Sequence, residues 1–261
     1  MKKLIKMLKA VSYQDVCKAI CEDVDLTQFE IISRKYYLIL KHKSIKSHVP
    51  FIAVHTDTIH SHVPEKIVHK NGILTCSNGI GGDDRNGCFI VSELLQSNPK
   101  DFIFGIFDLE EHGCVGSNSF IDFEIVPFIS CIIGIDRRNS NDLALYGYES
   151  DEFLNALDSL YSYKAAYGSC SDCSTLADLM NICCFNISCG FYNEHTFKEY
   201  IIYSDVLMTL STLQNLPHVF SSKQFEIDFY NDDEEEDWMM NDDQSELIYR
   251  KYANGCDSWN I

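Results

Sequence analysis

The chain has 261 residues, a formal net charge of −18 and twelve cysteines. Hydrophobic residues make up 46% of it, which is enough for a sizeable core in one large domain or in a domain with an appendage. It contains no basic stripe of clustered Lys and Arg, so we expect no nucleic-acid partner. No stretch approaches the roughly 18 consecutive apolar residues of a membrane span, so we expect no membrane partner either.

The first residues and the cysteines together favour a cytoplasmic protein. The chain begins with a basic segment, but Ser12, Gln14 and Asp15 interrupt the apolar run that a signal peptide requires. In a chain of this length without an export signal, we expect the cysteines to remain reduced thiols.

The negative charge is concentrated near the C-terminus. Residues 226–246 include eleven Asp and Glu and no Lys or Arg. This stretch has no clear apolar period, which is typical of solvated segments. We therefore predict a folded domain over residues 1–217 and an acidic appendage over 218–261 that is disordered or loosely docked.

Hydrophobic periodicity predicts alternating helices and strands before that appendage. In chain order we predict a helix over 2–21, strands over 36–40 and 51–54, an irregular segment, a helix over 88–95, a strand over 102–107, a short helix over 117–123, strands over 128–135 and 143–148, helices over 152–161 and 174–180, a strand over 182–187, and a helix from about 197 to about 213. This alternation indicates a three-layer α/β/α sandwich with a mixed, mostly parallel central sheet.

Histidine and carboxylate side chains follow several of the predicted strands or lie in a glycine-rich stretch. They are, in chain order, His55, Asp57, Asp83, Asp84, Glu110, Glu111, Asp136 and His195. In an open α/β sheet the carboxyl ends of the strands meet at one edge, so we expect these side chains to lie close together. Imidazole and carboxylate groups without cysteine suit a catalytic zinc site better than a structural one.

Three short motifs resemble those of the co-catalytic zinc exopeptidases, the group of bacterial leucyl aminopeptidases, peptidase T and glutamate carboxypeptidases. His55-Thr56-Asp57 resembles their His-x-Asp element. The segment Gly81-Gly82-Asp83-Asp84-Arg85-Asn86-Gly87 resembles their Gly-x-Asp-Asp-Lys/Arg-x-Gly element, and Glu110-Glu111-His112-Gly113 resembles their Glu-Glu-x-Gly element. Asp136 and His195 match the two later ligands, so the resemblance covers about residues 50–205.

The resemblance implies a set of metal ligands. Asp83 would bridge two Zn²⁺ ions, although Co²⁺ or Mn²⁺ could occupy the same ligands. His55 and Asp136 would complete the shell of one ion. Glu111 and His195 would complete the shell of the other.

The resemblance also implies a mechanism and a function. Asp57 would orient the imidazole of His55. Glu110 would be the general base that activates a water held between the ions. We expect a metal-dependent exopeptidase, most simply an aminopeptidase acting on short peptides. The alternatives are an amidohydrolase or deacylase acting on an N-acyl substrate, and a catalytically silent metal-binding scaffold.

The distance between two matched residues departs from part of the family. Peptidases of the glutamate carboxypeptidase and peptidase T type carry an inserted lid domain between the ligands that Asp136 and His195 match. Here the intervening segment must already hold a helix and a strand, and it is too short for a further domain of ordinary size. We therefore expect a lidless domain, with Arg137 and Arg138 as candidates for holding a substrate carboxylate.

Five cysteines form a second constellation. Cys170 and Cys173 make a C-x-x-C motif, and Cys183, Cys184 and Cys189 follow it. A structural zinc knuckle or a redox pair would both use such a motif. The later cysteines do not repeat the spacing and lie in or next to a predicted buried strand, where reduced cysteines behave as small hydrophobes. We favour that last interpretation.

Overall fold

The structure is a computed structural model that describes residues 1–228, so most of the predicted acidic appendage lies outside the described residues. In this part of the chain the strands β1 to β12 are, in order, Phe29–Ser33, Tyr37–His42, Val49–His55, Val68–Lys70, Ile73–Thr75, Ile103–Phe107, Ile129–Arg137, Asp142–Leu145, Lys164–Tyr167, Cys184–Ser188, Phe191–Tyr192 and Tyr200–Ile202. The helices α1 to α7 are Lys2–Leu8, Tyr13–Ile20, Gly82–Ser97, Val115–Asn118, Asp151–Leu157, Asp172–Met180 and Tyr203–Gln214.

Eight of these strands form one mixed sheet in the order β1-β2-β6-β3-β7-β10-β8-β9. The four neighbours β6, β3, β7 and β10 run parallel to one another. Their carboxyl ends therefore lie at the same edge of the sheet, with His55 opposite Phe107 in the register of β3 and β6. Strands β11, β12, β5 and β4 form a separate four-stranded sheet.

Helices cover both faces of the large sheet. Along β3, Ile52 and Val54 belong to one buried apolar cluster, and Phe51 and Ala53 belong to another. This alternation follows from the period of two along a strand. The first cluster includes buried side chains of α1, α2, α3, α5 and α7, and the second includes those of α6. The predicted three-layer α/β/α fold is confirmed.

Two predicted helices differ from the observed ones, one by a break in its middle and one by a later start. The helix over 2–21 is wrong as one element, because the chain breaks after α1 and α2 begins with a new cap, the Ser12 side chain accepting from the Asp15 amide. The helix from about 197 is also wrong in its first turns, because residues 200–202 pair with β5 as β12 and α7 begins only at Tyr203.

The remaining differences concern short elements. The helix over 117–123 is wrong in position, since α4 ends at Asn118 and a 3-10 turn begins only at Phe123. Strands β1, β4, β5, β9 and β11 have no counterpart among the predicted elements. Four of these five have at most four residues, too few to show a period of two. No helix within residues 1–228 is long and apolar enough to cross a membrane.

Candidate metal centre

The predicted site residues come from the shared edge of the four parallel strands. His55 is the last residue of β3, and Asp136 lies near the end of β7. Glu110 and Glu111 lie in the loop after β6, and His195 lies in the loop between β11 and β12. The fold thus delivers side chains from four segments to one place, as an open α/β sheet does with its ligand-binding loops.

His55 lies at the centre of the cluster and is only 1% exposed. Its Nε2 atom lies 3.2 Å from Asp83 Oδ1 and 3.4 Å from Asp136 Oδ1. Neither ring nitrogen forms a hydrogen bond of good geometry. A buried imidazole nitrogen that faces two carboxylates without hydrogen bonding to either fits a ligand to a cation.

Asp83 faces both histidines of the cluster. Its Oδ1 atom points to His55, and its Oδ2 atom lies 3.3 Å from Nε2 of His195. That same Nε2 lies 3.0 Å from Oε2 of Glu111. Two sets of ligand atoms therefore share one carboxylate, and each set combines one imidazole with one further carboxylate. This donor set fits two divalent cations bridged by Asp83.

Asp57 positions the groups around the cluster rather than facing its centre. One of its carboxylate oxygens lies 3.3 Å from Nδ1 of His55. The two oxygens also accept the backbone amides of Glu110 and Glu111, at 3.0 and 3.2 Å. Burial acts to raise the pKa of Asp57, but the contact with His55 and the amide of Glu110 outweigh burial and lower it to about 2. Asp57 is therefore a carboxylate that fixes one histidine and the Glu110-Glu111 segment together.

The two adjacent glutamates have different surroundings. Glu111 contacts His195, and burial raises the pKa of the Glu111 carboxyl to about 7. Glu110 lies farther from the histidines, with Oε2 at 3.9 Å from His55 Nε2. Its other oxygen accepts from Sγ of Cys114 at 3.7 Å. Burial raises the pKa of Glu110 above its ordinary value, which suits a group that exchanges protons.

Asp84 belongs to the cluster although the sequence assigned it no role. Two groups of three side chains within residues 1–228 have ligand atoms close enough for one ion, namely His55, Asp83 and Glu111, and His55, Asp84 and Asp136. The Asp84 oxygens, however, already accept the backbone amides of His55 at 3.2 Å and of Gly87 at 2.9 Å. Asp83 is therefore the better ligand. Gly87 is needed for this arrangement, because a Cβ atom there would lie 2.4 Å from Asp84 Oδ1.

Glu199 is a buried carboxylate that sequence reasoning missed. It is 2% exposed and accepts the backbone amides of Gly81 at 2.9 Å and of Asp83 at 3.0 Å. Its Oε2 atom also lies 2.9 Å from Nε2 of His60. Glu199 therefore ties the loop that carries His195 to the loop that carries Asp83. Its place four residues after His195 is the one sequence signal for this role, and it is a weak one.

The fold of the chain is similar to that of several solved peptidase structures. No family model and no curated protein matches the chain. Among solved structures, aminopeptidase PepT from Bacillus cereus superposes with a TM-score of 0.66 at 12% identity, over 82% of this chain and 95% of the other. A tripeptidase from Staphylococcus aureus gives 0.68 at 10% identity, over 84% and 97%. An aminopeptidase from the archaeon Desulfurococcus kamchatkensis gives 0.60 at 14% identity, over 85% and 94%.

The chain has the fold of these peptidases. At such low identity the likeness concerns the path of the backbone and does not extend to activity or metal content. The peptidase-type α/β fold expected from the motifs is confirmed on this basis. The assignment of individual ligands and of the general base depends on the geometry of the cluster.

Proposed function

We propose that the chain is a metal-dependent exopeptidase, an aminopeptidase that shortens small peptides with two zinc ions. The observation that carries the proposal is the position of Asp83, whose two oxygens each lie within 3.3 Å of a different histidine. His55, Asp136 and Asp83 would hold one ion. Glu111, His195 and Asp83 would hold the other. The fold shared with an aminopeptidase and a tripeptidase supports the assignment.

The mechanism uses the protein groups next to these ligands. Divalent ions at such a site supply polarisation of the scissile carbonyl and lower the pKa of a nearby water. The Glu110 carboxylate takes the proton of the attacking water and returns it to the leaving amine. This role suits a carboxylate beside the ligands that does not itself coordinate, and proton transfer of this kind contributes about 10²–10⁴ in rate. Asp57 contacts both the amide of Glu110 and the ring of His55, and these contacts fix the position of Glu110 relative to His55.

The surroundings of two arginines favour an aminopeptidase over an enzyme that binds a substrate carboxylate. Arg138 donates to Glu194 Oε1 at 2.6 Å, and Nε of Arg137 lies 3.8 Å from Asp142. Each guanidinium thus has an acidic partner in the protein. Deacylases of N-acyl amino acids and carboxypeptidases need a cation for the substrate carboxylate, so these alternatives have less support.

The experiment that tests the function combines metal analysis with a substrate screen. Purified protein is assayed with aminoacyl amides, short peptides and N-acyl amino acids, before and after exhaustive chelation. We expect hydrolysis of the first two groups, loss of activity with chelator and recovery with Zn²⁺. Preferential cleavage of N-acyl amino acids would assign the deacylase function instead. Two bound ions without turnover on any substrate would assign the silent scaffold.

Domain organisation and location form part of the same proposal. We propose a catalytic domain without an inserted lid, because β8, α5, β9, α6 and β10 take up the segment between Asp136 and His195. A cytoplasmic location agrees with the cysteines of residues 1–228, which are all free thiols.

A further inference from the structure

Two cysteines meet beside the general base. The Sγ atoms of Cys114 and Cys170 lie 3.7 Å apart. Cys170 is exposed and directly precedes Ser171, the N-cap residue of α6. Cys114 is 2% exposed, and its thiol donates to Glu110 Oε1 at 3.7 Å. An exposed thiol is thus connected to the catalytic carboxylate through one buried sulfur.

The pairing differs from the C-x-x-C motif in the sequence. Cys173 is 1% exposed, and its sulfur lies 3.0 Å from the hydroxyl oxygen of Ser171. The thiol in contact with Cys170 is that of Cys114, the N-cap residue of α4. The two residues of the motif therefore have different surroundings. Cys170 is exposed and contacts Cys114 beside the base, and Cys173 is buried in the core.

We propose that Cys114 and Cys170 are a modification site that forms a reversible disulfide with low-molecular-weight disulfides such as oxidised glutathione. A second part of the proposal, which rests on the proposed function, is that this bond slows hydrolysis at the metal centre.

The chemistry balances with oxidised glutathione as the oxidant. The Cys170 thiolate attacks one sulfur of glutathione disulfide, a bond forms between them, and one glutathione leaves as a thiol. Cys114 then attacks the Cys170 sulfur of this mixed disulfide and releases the second glutathione. The two protein thiols lose two electrons, glutathione disulfide gains them, and the two thiol protons end on the two glutathione molecules.

The geometry permits the bond with a small movement. A disulfide has sulfur atoms about 2.05 Å apart, so the two sulfurs must approach by less than 2 Å from their present 3.7 Å. Cys170 lies in the connection between β9 and α6, outside any helix or strand, which leaves its backbone free to supply most of the movement. Exposure makes Cys170 the thiol that meets the oxidant first, and Cys114 the one that resolves the mixed disulfide.

The disulfide changes the surroundings of Glu110. Oxidation removes the S–H group that Cys114 donates to Glu110 and draws the sulfur towards Cys170. The backbone follows, because the amide of Cys114 is bound to the carbonyl of Glu110 at 2.8 Å. Loss of the hydrogen bond from the Cys114 thiol to Glu110 corresponds to a decrease in rate of about fivefold. We therefore expect turnover to fall by about fivefold or more on oxidation.

In the test, the whole metal-loaded protein is treated with oxidised glutathione. A parallel sample receives reduced glutathione at the same total concentration of glutathione units, which controls for removal of metal by glutathione. Peptide mapping by mass spectrometry is expected to find Cys114 linked to Cys170, with the mass of two hydrogen atoms lost, and to find free thiols again after dithiothreitol. Cys170→Ser is expected to keep the activity of the reduced protein and to be insensitive to the oxidant. Cys17→Ser, which removes a half-buried thiol of α2, is the matched control and remains sensitive.

The mass measurement decides the modification site whether or not the protein hydrolyses peptides. A stable glutathione adduct on Cys170 with Cys114 still free, or a bond from Cys170 to any other cysteine, would overturn the proposal. If the Cys114–Cys170 bond forms and turnover stays unchanged, its effect on hydrolysis is refuted while the proposed peptidase function stands.

Discussion

Glu110 and Glu111 are neighbours in the sequence and differ in what their side chains contact. Glu111 lies 3.0 Å from Nε2 of His195, within reach of a shared ion. Glu110 contacts the Cys114 thiol and stays 3.9 Å from His55. The backbone holds both through the same residue, since Asp57 accepts both amides. Residues 110–113 form a turn, in which the amides of Gly113 and Cys114 donate to the carbonyl of Glu110, and the two side chains leave this turn towards different neighbours.

Replacing Glu110 by Gln keeps the size of the side chain and removes its ability to accept a proton. We expect Glu110→Gln to bind two ions and to lose turnover by about 10²–10⁴. Metal content is measured by elemental analysis and turnover with a peptide substrate. Glu111→Gln is the matched control and is expected to lose metal. A variant Glu110→Gln that binds less metal than Glu111→Gln would show that the two roles are exchanged.

Asp172 supplies a pH-dependent prediction at a carboxyl that lines one small cavity with His55 and Asp136 and is not itself a proposed ligand. It is 4% exposed, its Oδ1 accepts from the Ser117 hydroxyl at 2.6 Å, and its Oδ2 has no partner. Burial raises its pKa to about 7, against about 4 in an unfolded chain. The folded protein therefore binds more protons than the unfolded chain between these values, and the free energy of unfolding falls as pH rises through that window.

The variant Asp172→Asn keeps the acceptor for Ser117 and removes the ionisation. We expect the difference in unfolding free energy, variant minus wild type, to grow between pH 4 and pH 7 by on the order of 1 kcal/mol per pH unit. Urea denaturation of the chelated proteins at a series of pH values measures it. Parallel pH profiles for the two proteins would contradict a raised pKa at this carboxyl.

Among the secondary-structure elements, Glu199 connects two loops of the site. One loop connects β5 to α3 and carries Asp83, and the other connects β11 to β12 and carries His195. Glu199 lies at the end of the second and accepts two amides of the first. Its carboxylate thereby holds the Asp83 backbone next to the loop that carries His195.

We expect Glu199→Gln, which retains one good acceptor oxygen, to weaken metal binding by about 10–100-fold, as replacement of groups behind metal ligands does. Zn²⁺ titration of the chelated protein measures the affinity, and added Zn²⁺ is expected to restore turnover. Glu194→Gln on the same loop is the matched control, since Glu194 contacts Arg138 rather than the Asp83 loop. Equal metal affinity in both variants would remove Glu199 from this role.

The sequence predicts the parts of the site that lie at the ends of apolar strands and misses those that depend on long-range contacts. His55 and Asp136 lie near the ends of buried apolar strands and Glu110 follows another, so these strand ends and the side chains near them are visible in the sequence. The role of Glu199 depends on amides more than one hundred positions away, which no local pattern reports. Strand β12 has three residues and is stabilised by pairing with β5. The apolar spacing over these residues and α7 favours a helix, so the sequence alone does not reveal the strand.

At the scale of the whole molecule, the site concentrates carboxylates in a protein that is already acidic. Asp83, Asp84, Asp136, Glu110 and Glu111 surround two imidazoles, and burial raises the pKa of Asp84 and Asp136 well above the ordinary value. Bringing these groups together costs free energy, and divalent ions bound to the folded chain would offset that cost. We therefore expect metal binding to be linked to folding stability.

Removing metal should lower the melting temperature. At a free Zn²⁺ concentration 100 times the dissociation constant, one site contributes about 2.7 kcal/mol to the folded state, which for a chain of this size corresponds to roughly 5–10 °C. Differential scanning calorimetry with Zn²⁺ and with chelator measures the change. Asp83→Ala, which removes the bridging carboxylate, is expected to show no such difference. A melting temperature independent of metal in the unmodified protein would contradict the ligand set.

The central claim is that two ions bridged by Asp83 and one base, Glu110, hydrolyse peptide bonds. The most direct test is to titrate the chelated protein with Zn²⁺ while measuring peptide hydrolysis and bound metal in the same samples. Activity is expected to rise until two ions are bound per chain, and Glu110→Gln is expected to bind both ions without turnover. Peptide hydrolysis that persists at full rate in exhaustively chelated protein would contradict the claim.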